Sequence, residues 1–395
     1  MSNVTGQDQQ KNMRRVAMTS LAGTSIEWYD FFLYATAAAV IFPQAFFPQE
    51  DPTTALLMSF SSLAVGFLAR PLGGIVFGHF GDRIGRKRTL VVALMMMGVT
   101  TTLIGFLPTY ASIGIAAPLL LVALRFVQGL AIGGQWGGAM LLVTESAPAE
   151  RRGWYGAYAQ AGAPIGVVLA NLAFIGVSTS MSDEAFMEWG WRLPFIASIV
   201  LIGISMYIQL KIEDTDAFKS LSEAQKAVDK PAAVVERSPV IEAIRKYPKR
   251  IILAAGAFLS VQVTFYILIA FVISYGMQSP SLMLSKNLML TAVLIAAAIM
   301  VPTQFYFSGL SDRLGRKQVY RWGAILTGLW GFALFPLIDT GDTVLICLAI
   351  TMGLVFLGMQ YGPQAAYFTE LFTTEVRYSG ASLGYQIGAI IGGAL

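Results

Sequence analysis

One decapeptide occurs twice in this 395-residue chain, each time between two apolar runs long enough to cross a lipid bilayer. The first copy is Gly78-His79-Phe80-Gly81-Asp82-Arg83-Ile84-Gly85-Arg86-Lys87. The second, 230 positions later, is Ser308-Gly309-Leu310-Ser311-Asp312-Arg313-Leu314-Gly315-Arg316-Lys317. A dense basic turn between two such runs must lie outside the hydrocarbon, and excess Lys and Arg assign it to the cytoplasmic side. Two copies at corresponding positions predict a duplicated membrane bundle.

The charge supply agrees with that reading. Only 13% of residues are charged and 55% are hydrophobic, whereas a soluble domain averages about 25% charged. The net charge of +4 comes from short turns between apolar runs. It therefore reports topology, with contact to anionic membrane lipids secondary. No soluble module presents a basic face, so a nucleic-acid partner is not expected. The one cysteine, Cys347, sits in an apolar run, cannot form an internal disulfide and reads as a small hydrophobe. With one cysteine and one histidine, neither a metal cluster nor a nucleophile, base and orienter set can be assembled, so no enzyme, metal or cofactor is expected. No phosphate-binding Gly-x-x-x-x-Gly-Lys-Ser/Thr loop is present. The first eighteen residues are polar and basic (Lys11, Arg14, Arg15), and the run after them is too long for a signal peptide, so it reads as a first span.

At about 20 apolar residues per span, the chain divides into helices near 19–42, 55–79, 89–108, 113–143, 154–176, 193–212, 250–275, 288–309, 319–338, 343–367 and from 379 onward. Gly129, Gly133, Gly134, Gly137 and Gly138 predict close helix contact, or a kink, in the fourth. One side receives residues 1–18, the 80–88 turn, Arg151, Arg152, the 211–249 stretch, the 313–321 turn and Arg377. The other has Arg192 and Lys286 beside Glu50, Asp51, Asp183, Glu184, Glu188, Asp339 and Asp342. The first side, with the N-terminus, is expected in the cytoplasm. Residues 213–249, with Pro231, Pro239 and Pro248, read as a cytoplasmic linker. The linker divides a six-helix bundle, 19–212, from a second bundle, 250–395, of five spans. The chain stops at Leu395 inside the eleventh run, so the second bundle reads as lacking its last span. The expectation is an all-α membrane protein of parallel repeats, with its site at the midplane between the halves.

The repeated decapeptide, Gly-x-x-x-Asp-Arg-x-Gly-Arg-Lys, resembles the signature of the major facilitator superfamily, with Ser308 replacing the first glycine in the second copy. Arg125-Phe-Val-Gln128-Gly129 is similar to that superfamily's Arg-x-x-Gln-Gly. Glu27-Trp28-Tyr29-Asp30-Phe31-Phe32-Leu33-Tyr34 and Ala69-Arg70-Pro71-Leu72-Gly73-Gly74 resemble the metabolite:proton symporter family, over residues 16–395. That family includes carriers of shikimate, α-ketoglutarate, citrate, proline and betaine. The resemblance implies two six-helix bundles and proton symport of a small organic acid or zwitterion. Gln135 stands where the family's Gly-Gly-Glu-Trp-Gly-Gly-Ala carries a carboxylate, so coupling would rest elsewhere.

Charge within a span costs about 2.5–3.5 kcal/mol per residue on the insertion scale, and is kept where it works or is paired. Glu27 and Asp30, three apart, lie about 60° apart around a helix. At about 1.5 Å per residue Asp30 lies about 16 Å deep and Arg125 about 18 Å. The two can share a level. Arg125 is then the expected partner of a substrate carboxylate, by two-pronged pairing. Asp30 or Glu27 would compete for it when ionised, and protonation would release it. A static charge pair that fixes helix register is the alternative. Tyr34, Gln128, Gln135, Gln160, Asn171, Gln262, Tyr266, Gln360, Tyr361 and Gln386 are candidates to complete a polar cavity or to bond helices together. Asp82, Arg83, Arg86, Glu145, Arg152, Asp312, Arg313 and Arg316 are expected to form a cytoplasmic gate, the aspartates capping a neighbouring helix in one conformation. His79 at the same helix end is a candidate pH sensor. Gly162-Ala163-Pro164-Ile165-Gly166 partly resembles the superfamily's antiporter motif, which leaves an exporter as a second reading; a bend is the other meaning. A monomer is expected. A non-transporting membrane sensor or structural protein is the reading from another class.

Overall fold

The computed structural model describes residues 6–84, 86–133, 140, 143–144, 146–211, 244–372 and 377–394. Gln135 and Glu145 lie outside them, as does most of the 213–249 stretch, and the side chains of His79, Asp82, Arg83 and Arg86 are likewise undescribed. The described residues are overwhelmingly helical. The long helices are α1 (Gly6–Val40), α2 (Pro52–Ile84), α3 (Arg86–Phe106), α4 (Ala116–Gly133), α5 (Arg152–Thr179) and α6 (Arg192–Lys211). After the undescribed stretch come α7 (Pro248–Gln278), α8 (Lys286–Leu314), α9 (Arg316–Asp339), α10 (Thr343–Glu370) and α11 (Arg377–Ala394). Among the described residues, seven helices are long and apolar enough to cross a membrane.

Most helices run beyond the apolar runs read from the sequence. Hydropathy sees where the chain is oily, but polar caps set where a helix starts. Asp51 accepts from the Thr53 and Thr54 N–H groups at the start of α2, both at 3.1 Å. Asp342 does the same for Val344 and Leu345 at the start of α10, and Ser285 caps α8 through Leu288. Each cap satisfies backbone donors that the first turn leaves without partners.

Within the first half, α1 packs on α5, α2 on α4, and α3 on α6. Within the second, α8 and α9 pack on α10, and α7 on α11. The halves meet where α5 lies against α8 and α10, and where α2 lies against α11. Two seams carry no side-chain spacer. A Cβ on Gly129 would stand 2.2 Å from the Gly66 carbonyl oxygen, and one on Gly133 1.9 Å from that of Arg70. So α2 and α4 touch backbone to backbone, as small residues allow in a bilayer. On the other seam, Gly162 meets Thr24 and Gly166 meets Trp28, which holds α5 on α1. The stretch resembling an antiporter motif is thus a packing surface in this structure, with Pro164 inside an otherwise continuous helix.

Candidate functional site

The α2–α4 seam determines where two cations stand. Gly66 leaves room for the Arg125 side chain, whose Nε would lie 2.7 Å from a Cβ there. Glu27, Phe31 and Tyr34 follow at i, i+4 and i+7 along α1 and so share one face. That face receives the arginines. The Arg125 guanidinium lies 4.3 Å from the Tyr34 ring centre and 4.6 Å from that of Phe31. The Arg70 guanidinium lies 4.2 Å from Phe67 and 5.1 Å from Phe31. Two guanidinium groups therefore sit over one phenylalanine.

Arg125 is 1% exposed, yet its Nε and Nη2 have no hydrogen-bond partner. Its Nη1 donates to Gln128 Oε1 at 3.0 Å, and Gln128 Nε2 donates to Thr101 Oγ1 at 2.7 Å. Asp30 is equally buried and stands beside the hydroxyls of Thr101 and Ser198, although neither carboxylate oxygen completes a hydrogen bond. Asp30 and Arg125 are therefore not hydrogen-bonded to each other. Thr101 Oγ1 in turn donates to the Met97 carbonyl at 2.9 Å, so the chain of hydrogen bonds from Arg125 ends on the α3 backbone and does not continue to Asp30. The 60° that separates Asp30 from Glu27 turns it away from the cleft toward α3 and α6, behind the face that holds the arginines.

Glu27 lines the cleft, with Trp28, Phe31, Arg70, Ile132, Tyr385 and Gln386. Glu27 through Ile132 come from the first half of the chain and the last two from the second. Tyr266 closes the same region from α7, with its ring edge-on to Phe31 at 5.9 Å and to Phe67 at 5.7 Å. Arg70 stands beside the hydroxyls of Tyr266 and Tyr385.

The remaining polar candidates divide into two groups. Tyr34 shares a 2.6 Å hydrogen bond with Ser62 beneath Arg125. Gln160 donates to the Tyr361 carbonyl at 3.0 Å, which ties α5 to α10. Gln262 Nε2, Tyr266 Oη and Gln386 Oε1 are buried polar atoms without a partner. Gln160, Tyr266 and Gln386 stand where the halves meet, whereas Tyr34 lies within the first half and Gln262 packs on Gly392 within the second. Gln360 belongs elsewhere: its amide donates to Thr327 at 2.9 Å and accepts from Ser260 at 3.5 Å, bonding α10 to α9 and α7. Asn171 accepts from Thr36 at 3.4 Å and bonds α5 to α1.

At the end of the molecule carrying the basic turns, Asp312 receives the first N–H groups of α5. Gly153 N and Trp154 N each donate to it at 2.9 Å, and Arg316 Nη1 at 2.5 Å. Arg316 also reaches Glu370 at 3.4 Å. Arg313 is exposed, and Arg152 is half-buried with its Nε unpartnered. At the opposite end Lys286 of α8 pairs with Asp183 at 3.0 Å, and Ser178 donates to Asn287 at 3.0 Å.

Sequence reasoning missed Arg70, Phe31 and Phe67. The signal for Arg70 was present, since an arginine with no further charged residue before Asp82, inside an apolar run, is as costly as Arg125. It also missed Gln304 and Gln364, buried in α8 and α10 with both ends of their amides unpartnered.

Among known proteins, residues 21–395 match the family described as Major Facilitator Superfamily. The inner membrane metabolite transport protein YhjE of Escherichia coli K12 is 42% identical over 389 residues, covering 96% of this chain and 86% of that protein. The shikimate transporter of the same strain is 39% identical over 381 residues, covering 96% and 85%. A proline/betaine transporter of Salmonella typhimurium is 32% identical over 402 residues, covering 100% and 78%. In fold, the chain is similar to a partially occluded inward-open form of the xylose transporter XylE from E. coli. The TM-score is 0.73 at 14% identity, over 96% of this chain and 90% of that one.

Proposed function

The chain belongs to the major facilitator superfamily and is a multi-pass membrane transporter, and on that premise we propose that it is a proton-coupled symporter of a small organic acid or zwitterion. The observation that carries this reading is Arg125, buried close to where the halves meet with two N–H donors unpartnered. A guanidinium held in that state is ready for a carboxylate, because the paired N–H fork matches carboxylate geometry. Arg70 supplies a second cation at the cleft, and Tyr266, Tyr385 and Gln386 approach it from the second half. Glu27 lines the cleft beside Arg70, and Asp30 lies beside the Thr101 hydroxyl that accepts from Gln128, the partner of Arg125. A proton on either carboxylate loosens its hold on the cations and favours entry of the substrate.

Transport then follows from exposing this site to each face in turn. The first half is residues 19–212 and the second residues 250–395, related as parallel repeats and joined by a cytoplasmic linker, 213–249. The basic turns and the N-terminus face the cytoplasm, and the membrane is the inner membrane, as the name of the YhjE relative indicates for that protein. Asp312 on the α5 N-terminus closes the cytoplasmic end, and the 82–86 turn serves as its counterpart in the first repeat.

Uptake by Arg125→Ala, Asp30→Asn and Glu27→Gln variants tests the reading. Arg125→Ala is expected to lose saturable uptake. The two carboxamide variants are expected to retain exchange of substrate across the membrane but lose accumulation driven by a pH gradient. Unchanged proton-driven uptake in all three would end the proposal.

A further inference from the structure

The two buried arginines differ in their access to the cleft. Arg70 is part of its lining and Arg125 is not. Arg125 stands one layer back, bounded by Gly66, by the Gln128 amide and by the ring of Tyr34. Toward the cleft its guanidinium meets Phe31, whose ring centre is 4.6 Å away. Phe31 is therefore at once a wall of the cleft and a contact of Arg125. The same ring lies 5.1 Å from the Arg70 guanidinium.

The ring is held by what surrounds it. Phe31 is 3% exposed, and four rings stand edge-on to it: Trp28 at 5.6 Å, Phe32 at 5.4 Å, Phe67 at 5.7 Å and Tyr266 at 5.9 Å. Edge-to-face contacts set a ring's orientation as well as its place. The cations add to this, because each is attracted to the electron-rich face. Trp28, Phe32 and Phe67 belong to the first half of the chain, but Tyr266 belongs to α7 in the second. One clamp on Phe31 is thus supplied across the interface between the halves. Withdrawal of α7 removes that clamp and gives the ring room to turn.

The geometry points to Phe31 as the partition between the cleft and Arg125, held shut by Tyr266 of the second half. While the ring is in place, a solute in the cleft meets Arg70 and not Arg125. When the ring turns, the Nε and Nη2 groups of Arg125, which have no partner, come within reach. The site is then entered in two steps, the outer cation first, and the second step is tied to movement of α7 against α1. This goes beyond the symport reading and does not depend on it, because it concerns access to a buried side chain and neither the solute nor the driving ion.

The test is modification of the purified protein by methylglyoxal, a small arginine-reactive dicarbonyl, with adducts at each arginine quantified by mass spectrometry. In the unaltered protein Arg125 is expected to stay protected. Phe31→Ala removes the partition and is expected to raise modification of Arg125 by about tenfold or more, since reactivity follows the fraction of molecules with the ring out of the way. Phe31→Tyr keeps a ring and is expected to restore protection. Tyr266→Ala leaves Phe31 in place and is expected to raise modification of Arg125 by a smaller factor. Arg316, 11% exposed at the basic end, is expected to be unchanged throughout, which marks the opening as local. Phe31→Leu provides the same comparison should Phe31→Ala fail to fold. Arg125 modified as readily as Arg70 in the unaltered protein overturns the partition. So does protection of Arg125 in folded Phe31→Ala or Phe31→Leu, whether or not Arg70 reacts, and so does an equal rise at Arg316. Modification of Arg125 unchanged by Tyr266→Ala overturns the clamp from the second half. Each of these results leaves the symport reading to its own uptake test.

Discussion

Each end of the molecule has an ion pair near where the halves meet, and the two are built differently. At the basic end the Asp312 side chain is 8% exposed and its partner Arg316 11%. The carboxylate also holds two backbone N–H groups at the start of α5, where the helix dipole favours an anion. At the opposite end Lys286 lies 4.0 Å over the Phe186 ring, but its partner Asp183 is 84% exposed. Both pairs join residues brought together from the two halves, or close a contact between them. Only the first is withdrawn from water. An exposed pair contributes about 0.2–1 kcal/mol and is screened by salt, whereas breaking a buried, hydrogen-bonded charge costs about 3–5 kcal/mol. Burial, not the count of charges, ranks the two contacts.

That ranking can be broken by substitution. The cysteine at 347 is the only one, so Cys347→Ser with Ala366→Cys gives a single reporter near the basic end, where Gly156 packs on Ala366. Maleimide labelling of it then reads opening of that end. The largest effect is expected from Gly153→Val. A Cβ there would stand 2.5 Å from Arg316 Nη1, 2.7 Å from the Ser308 carbonyl oxygen and 2.9 Å from Asp312 Oδ1. Labelling should rise to near its limit. Asp312→Asn keeps the size but loses the charge, and a loss of about 2 kcal/mol corresponds to roughly a thirtyfold increase in labelling rate. Arg316→Gln leaves both backbone donors in place and should cost about 1 kcal/mol, or about fivefold.

Asp183→Asn is expected to have the smallest effect, within about threefold for a reporter at the opposite end, and to vanish in about 1 M salt. If Asp183→Asn altered accessibility as strongly as Asp312→Asn, exposure would not be what separates the two contacts.

The helices, and one of the two buried arginines, were readable from the sequence, for one physical reason. Lipid leaves few ways to place a charge, so Arg125 in an apolar run already implied a protected position, and it is buried. What failed to show was direction. Asp30 and Glu27 differ by 60° on one helix, and that angle separates a residue lining the cleft from one behind it. Sequence patterns also cannot tell an amide that faces a cleft from one that joins helices, which is why Gln360 and Gln262 read alike. Phe31 and Phe67 carried no signal, because aromatic residues in spans usually pack. Their role appears only with two guanidinium groups over one ring. Arg70 was legible by cost but was read as part of a family motif.

The backbone contact between α2 and α4 has a mechanical consequence. Gly66, Gly129 and Gly133 bring the two helices together with no side chain to shear, and each helix bears one of the two buried arginines. The pair of buried arginines is therefore carried on a welded piece. If the halves tilt past one another, the positive charges keep their spacing, and it is the tyrosine-bearing helices α7 and α11 that swing over a fixed anvil.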